Sequence, residues 1–121
     1  MKKLIAMAAP ILPGKLPQWK GFLNELKTTR HDEYVASRKR NGVRERAYLQ
    51  QTPQGDLVIV TLEGEDPESA MQNLFTTNDA FTKWFLTQTQ AIHGIDFSLV
   101  EEGPLPELAI DSHEAVLQTA P

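Results

Sequence analysis

Ala47-Tyr48-Leu49-Gln50-Gln51-Thr52-Pro53-Gln54-Gly55-Asp56-Leu57-Val58-Ile59-Val60-Thr61-Leu62 sets two β-prone runs on either side of a short turn signal. Pro53 pre-sets φ for the second position of a type I turn, and Gly55 can adopt the positive φ that closes a bulged hairpin. An antiparallel hairpin over roughly Val43–Gln51 and Asp56–Glu63 follows. Helical segments precede and follow it. With a first strand at Lys3–Ile11 and a short last one at Glu107–Asp111, the order is β-α-β-β-α-β.

That order is the ferredoxin-like α+β one, an antiparallel sheet with helices on one face. Pro17 suits the start of the first helix, which is expected to run unbroken to Arg40. Arg38-Lys39-Arg40 complement its dipole there, and Asn41-Gly42 end it. After the hairpin, Asp66-Pro67 cap and open a second helix that ends near Thr76-Thr77. Asn78 is the expected cap of a third segment, to His93, with Gly94 as its stop. In that segment Phe81, Trp84, Phe85, Gln88 and Ile92 recur on one face. Residues 1–112 read as a single domain and 113–121 as a mobile polar tail.

Composition narrows the function classes. The 121 residues are 40% hydrophobic and 23% charged, ordinary for a globular domain with one core. No cysteine is present, which removes disulfides, zinc-thiolate sites and thiol nucleophiles. Met1-Lys2-Lys3 and the apolar run after it imitate a signal peptide, but Pro10 cuts the run short. The run reads better as the first strand. No apolar stretch reaches the ~20 residues of a membrane span, so a cytoplasmic protein with no membrane partner is expected.

Charge is unevenly distributed. Residues 1–46 hold a balance of +7 and residues 47–121 one of −11, with every arginine between Arg30 and Arg46. Packing of the two halves against each other accounts for this split. The basic run Arg38–Arg46 lacks interleaved aromatics and the chain's pI is about 5.3, so nucleic acid is not an expected partner. The acidic group Glu63, Glu65, Asp66 and Glu68 surrounds a helix start, where acidic side chains gather in any case. No metal is expected there.

Leu57-Val58-Ile59-Val60 and Leu4-Ile5-Ala6-Met7-Ala8-Ala9 are apolar at every position. An antiparallel strand of this kind is covered on both faces, whereas helices on one side cover one. A second copy of the chain, sheet against sheet, supplies the other cover, and the expected assembly is a homodimer. Aspartate at Val58 or Val60 is the expected disruptor.

The element order, these doubly apolar strands and the Trp-bearing third helical segment resemble the dimeric α+β barrel superfamily. Ser37 to Arg44, Thr52 to Asp56 and Glu63 to Pro67 are similar to the patterns Ser-Arg-x-x-x-Gly-Val/Ile-Arg, Thr-Pro-x-Gly-Asp and Glu-Gly-Glu-Asp-Pro of a small uncharacterised bacterial group within it. The resemblance spans about residues 3–112. It implies the fold and the dimer, and it leaves the activity open among oxygenases, isomerases, haem-degrading enzymes and proteins without chemistry. Haem-degrading members carry an asparagine on the first strand, where this chain has Ala6, Met7 and Ala8. No cofactor is expected.

On the first helix, Trp19, Phe22, Leu23 and Leu26 form a buried stripe that continues into Arg30, Glu33 and Ser37. Those three lie three and four residues apart and can touch. Either they line a pocket between helix and sheet, or the helix overhangs the sheet and leaves them solvated. In the pocket reading Tyr48, Trp84 and His93 face them, and Arg30 binds a carboxylate or enolate. His93 then serves as acid or base, or else it caps its helix. Two functions stand open: a cofactor-independent oxygenase or isomerase acting on a small organic molecule, and a non-catalytic dimeric module that binds a ligand or a protein.

Overall fold

A computed structural model describes residues 2–96 and 106–113. Three strands and four helices alternate as β1 (Lys3–Pro10), α1 (Leu16–Lys27), α2 (His31–Arg40), β2 (Val43–Thr52), β3 (Gly55–Gly64), α3 (Pro67–Thr76) and α4 (Ala80–His93). The sheet is antiparallel in the order β1-β3-β2. Among the described residues no helix is long and apolar enough to cross a membrane.

The hairpin forms where its sequence places it. Thr52 pairs with Gly55 across Pro53-Gln54, and Gly55 has φ +136°. The Thr52 hydroxyl donates to the Gly55 carbonyl at 2.6 Å and accepts the Gln54 N–H at 3.2 Å, which holds the turn closed.

Register sorts the side chains into two faces, because directly paired residues of an antiparallel sheet point the same way. One face carries Ile5, Met7 and Ala9 of β1, Val58, Val60 and Leu62 of β3, and Val43, Glu45 and Leu49 of β2. Helices cover it. Ile11, Trp19, Phe22, Leu26, Val58, Phe81 and Ile92 make the larger core cluster, and Val43, Leu62 and Ala70 a smaller one. Val58 and Val60 therefore face this chain's own helices, so an aspartate at either would strike the core rather than a dimer contact. The opposite face carries Leu4, Ala6, Ala8 and Pro10, then Leu57, Ile59, Thr61 and Glu63, then Arg44, Arg46, Tyr48 and Gln50. No element of the described chain packs over it.

Two of the expected elements need correction. The first helix is broken. At Thr28 the side-chain hydroxyl takes the carbonyl of Asn24 at 2.7 Å, while the backbone N–H tightens onto Glu25 at 3.2 Å. Two consecutive β-branched threonines favour this departure from helical geometry. The chain restarts at His31, with Asp32 and Glu33 complementing the new positive end. The strand expected over Glu107–Asp111 is also absent: residues 106–111 have no regular structure and are exposed. A strand exists only where a neighbour satisfies its backbone, and among the described residues no ladder includes this segment. The expected tail lies outside the described residues from 114 on.

Helix ends follow local chemistry. Asp66 caps α3 by accepting the Ser69 N–H, and Pro67 sits buried in the first turn. Asp79, not Asn78, caps α4 by accepting the Thr82 N–H at 2.7 Å. These backbone N–H donors hold both carboxyls below the ordinary range. Gly94 ends α4 with φ +71°. At Gly64 a Cβ would come within 2.2 Å of the Gly42 carbonyl oxygen, so only glycine lets these two segments approach. Backbone geometry thus explains much of the Glu63–Pro67 pattern.

Candidate functional site

The break at residues 28–30 changes the helical phase, and with it the identity of the inward-facing polar residues. Arg38, rather than Arg30, is the buried guanidinium, at 8% exposure. Its Nε donates to Glu45 Oε1 at 2.6 Å and its Nη1 to Ser37 Oγ at 2.9 Å. Its plane lies between two rings, 4.8 Å from the Tyr34 centroid and 4.7 Å from that of Phe85. One side chain therefore ties α2 to β2 and to α4. The Tyr34 phenol is pushed above its ordinary range, by burial first and then by the Glu45 carboxylate, with Arg38 acting in the opposite direction.

Arg30 sits at the start of α2, half-buried. Its guanidinium lies 4.1 Å from the Trp84 ring centroid and its Nη1 is 3.3 Å from Glu33 Oε1. Trp84 belongs to an aromatic group with Phe22, Phe81 and Phe85, whose centroids are 5.2–6.0 Å apart in tilted pairs. Two arginines therefore close the rim of one aromatic cluster, a packing in which each cation meets a ring's negative face.

The six candidate residues divide accordingly. Arg30, Glu33 and Trp84 do come together. Ser37 is buried, but it serves Arg38. Tyr48 projects from the opposite face of the sheet and is half exposed. His93 turns inward, and its Nδ1 meets the Pro10 carbonyl at 2.8 Å, tying α4 to the end of β1. Burial lowers its pKa, while the bond to Pro10 acts the other way. The ring is a structural tether between α4 and the end of β1.

A crevice beside Arg38 is walled by Leu74, Phe75, Phe81, Thr82 and Phe85. It measures about 10 Å³, about the volume that admits one water. Among the described residues no group of three or more His, Asp or Glu gathers as a metal site. Sequence reasoning passed over Arg38 and Glu45 because a cation near a helix C-terminus already has an explanation in the dipole. The available signal was Tyr34, four residues before Arg38 on the same face, together with a glutamate at an inward position of β2.

The chain matches no family model, no curated protein and no solved structure.

Proposed function

We propose that this protein is a homodimeric α+β module without a reaction of its own, and that the open face of its sheet is the mating surface. The observation that carries this reading is the composition of that face. Leu4, Ala6, Ala8 and Pro10 run along β1, Leu57 and Ile59 lie beside them on β3, and Tyr48 follows on β2. Charge is confined to one corner, where Arg46 pairs with Glu63 at 3.5 Å and Arg44 lies alongside. An apolar field with a charged margin is the usual anatomy of a protein–protein contact. The resemblance to the dimeric α+β barrel superfamily implies the same arrangement, sheet against sheet.

Enzyme chemistry is the less supported reading. An oxygenase or isomerase needs enclosed space for its substrate between helices and sheet. Here the polar side chains suited to it are spent on one another, and the crevice beside Arg38 is water-sized.

Sedimentation velocity across micromolar concentrations tests the proposal. A dimer is expected, and Ile59→Asp should yield a folded monomer. A buried unpaired carboxylate costs several kcal/mol, while on an open face it costs little. An unaltered protein that sediments as a monomer throughout would overturn the reading.

A further inference from the structure

We propose that Asn41-Gly42 is a self-modification site, where the Asn41 amide converts to isoaspartate or aspartate, and that the C-terminal cap of α2 holds the reaction off. The chemistry needs only this dipeptide and water. The Gly42 nitrogen gives up its proton and attacks Cγ of Asn41. The new C–N bond closes a five-membered imide, the bond from Cγ to Nδ2 breaks, and Nδ2 leaves as ammonia with that proton. Water then opens the ring. Attack at Cγ leaves aspartate, while attack at the main-chain carbon of Asn41 leaves isoaspartate, with the chain running through the former side chain. Glycine in the second position puts no Cβ beside the attacking nitrogen. The other asparagines, Asn24, Asn73 and Asn78, precede Glu25, Leu74 and Asp79, whose side chains crowd that approach.

The fold opposes the reaction in three ways. Asn41 caps α2 with φ −93° and ψ 2°. At that ψ the Gly42 nitrogen eclipses the Asn41 nitrogen, whereas the imide ring requires it to eclipse Cβ. The Gly42 N–H donates to the Lys39 carbonyl at 3.0 Å, which resists loss of its proton. Asn41 Nδ2 donates to the Ser37 carbonyl at 2.8 Å, which holds the amide back along the helix. All three restraints belong to the last turn of α2, so one local opening releases them together.

The product does not fit the corner it came from. Isoaspartate lengthens the main chain by one carbon between residue 41 and Gly42. The Gly42 carbonyl oxygen already lies where a Cβ on Gly64 would come within 2.2 Å, so β3 leaves it little room to shift that way. Either product also replaces an amide donor with a carboxylate at the negative end of α2, facing the Ser37 carbonyl. Ser37 Oγ accepts from Arg38, so displacement there reaches the Arg38–Glu45 pair.

The full chain is incubated in mildly alkaline buffer, folded and in guanidinium chloride, and read by peptide mass mapping and isoaspartyl methyltransferase labelling. Asn41 should convert in both, ~tenfold or more slowly in the folded protein, while Asn24, Asn73 and Asn78 stay amides. The slowing should be at least as large as the hydrogen-exchange protection of the Gly42 N–H, because both reactions begin by removing that proton. Converted chains returned to native buffer should unfold at lower denaturant than fresh ones. No conversion at Asn41 in the denaturant would overturn the site. Equal rates in the two states, or a slowing smaller than the Gly42 protection, would overturn the cap's control of it. An unchanged denaturation midpoint after conversion would overturn the misfit of the product.

Discussion

Arg38 Nε and Glu45 Oε1 lie 2.6 Å apart with both side chains about nine-tenths buried, so α2 and β2 are joined by an ion pair inside the domain. Removing one partner strands the other charge away from water. Arg38→Leu should lower unfolding free energy by about 3–5 kcal/mol, while the double change Arg38→Leu, Glu45→Leu should cost less than the single one. Urea denaturation of the three proteins closes the cycle.

Arg30 offers the contrast. Its side chain is one-third exposed and its pair with Glu33 is wet. Stacking on Trp84 in such a position is worth ~0.5–1 kcal/mol, and screening reduces the ion pair to a fraction of that. Arg30→Ala should shift the denaturation midpoint slightly, far less than Arg38→Leu.

His93 makes stability depend on pH. Its folded pKa lies below the ordinary 6.5, so between the two values the unfolded chain binds the extra proton. The contribution is complete above about pH 6.5 and is lost as pH falls through that value towards the depressed one. His93→Gln should flatten this part of a melting-temperature profile. A profile with unchanged slope would contradict the tether.

Gly64 permits no side chain. A Cβ there would lie 2.2 Å from a backbone oxygen that cannot swing aside. Gly64→Ala should destabilise by roughly 1–3 kcal/mol or more, as overpacking does. Gly21→Ala, where a Cβ would meet nothing within 4 Å, is the matched control.

Much of the architecture was legible because local chemistry is decisive there. Pro53 with Gly55, Asp66 with Pro67, and Gly94 each mark an end, and the elements stop where those residues stand. The break at Thr28 was hidden. Periodicity in Trp19, Phe22 and Leu26 continues smoothly through Arg30, and a hydroxyl competing for one carbonyl leaves no trace in hydropathy. The change of helical phase at that break exchanges which polar residues face inward. Arg30, Glu33 and Trp84 lie together because the inward face of α4 presents Trp84 to the start of α2. Tyr48 was misplaced through β alternation: its neighbours Ala47 and Leu49 take the helix side, so it takes the other.

The topology also sets an order of events during synthesis. The β2–β3 hairpin closes over two residues, whereas β1 pairs with β3 across both helices between them. Closing the longer loop costs more chain entropy, so β1 docks after the hairpin exists. On the ribosome β1 emerges ahead of β3 and waits for residues 57–64, on the order of 3–12 s at ~5–20 residues per second. Through that interval its uncharged backbone has no partner in its own chain. Of the three described strands, β1 is made ahead of its partner and paired after the hairpin.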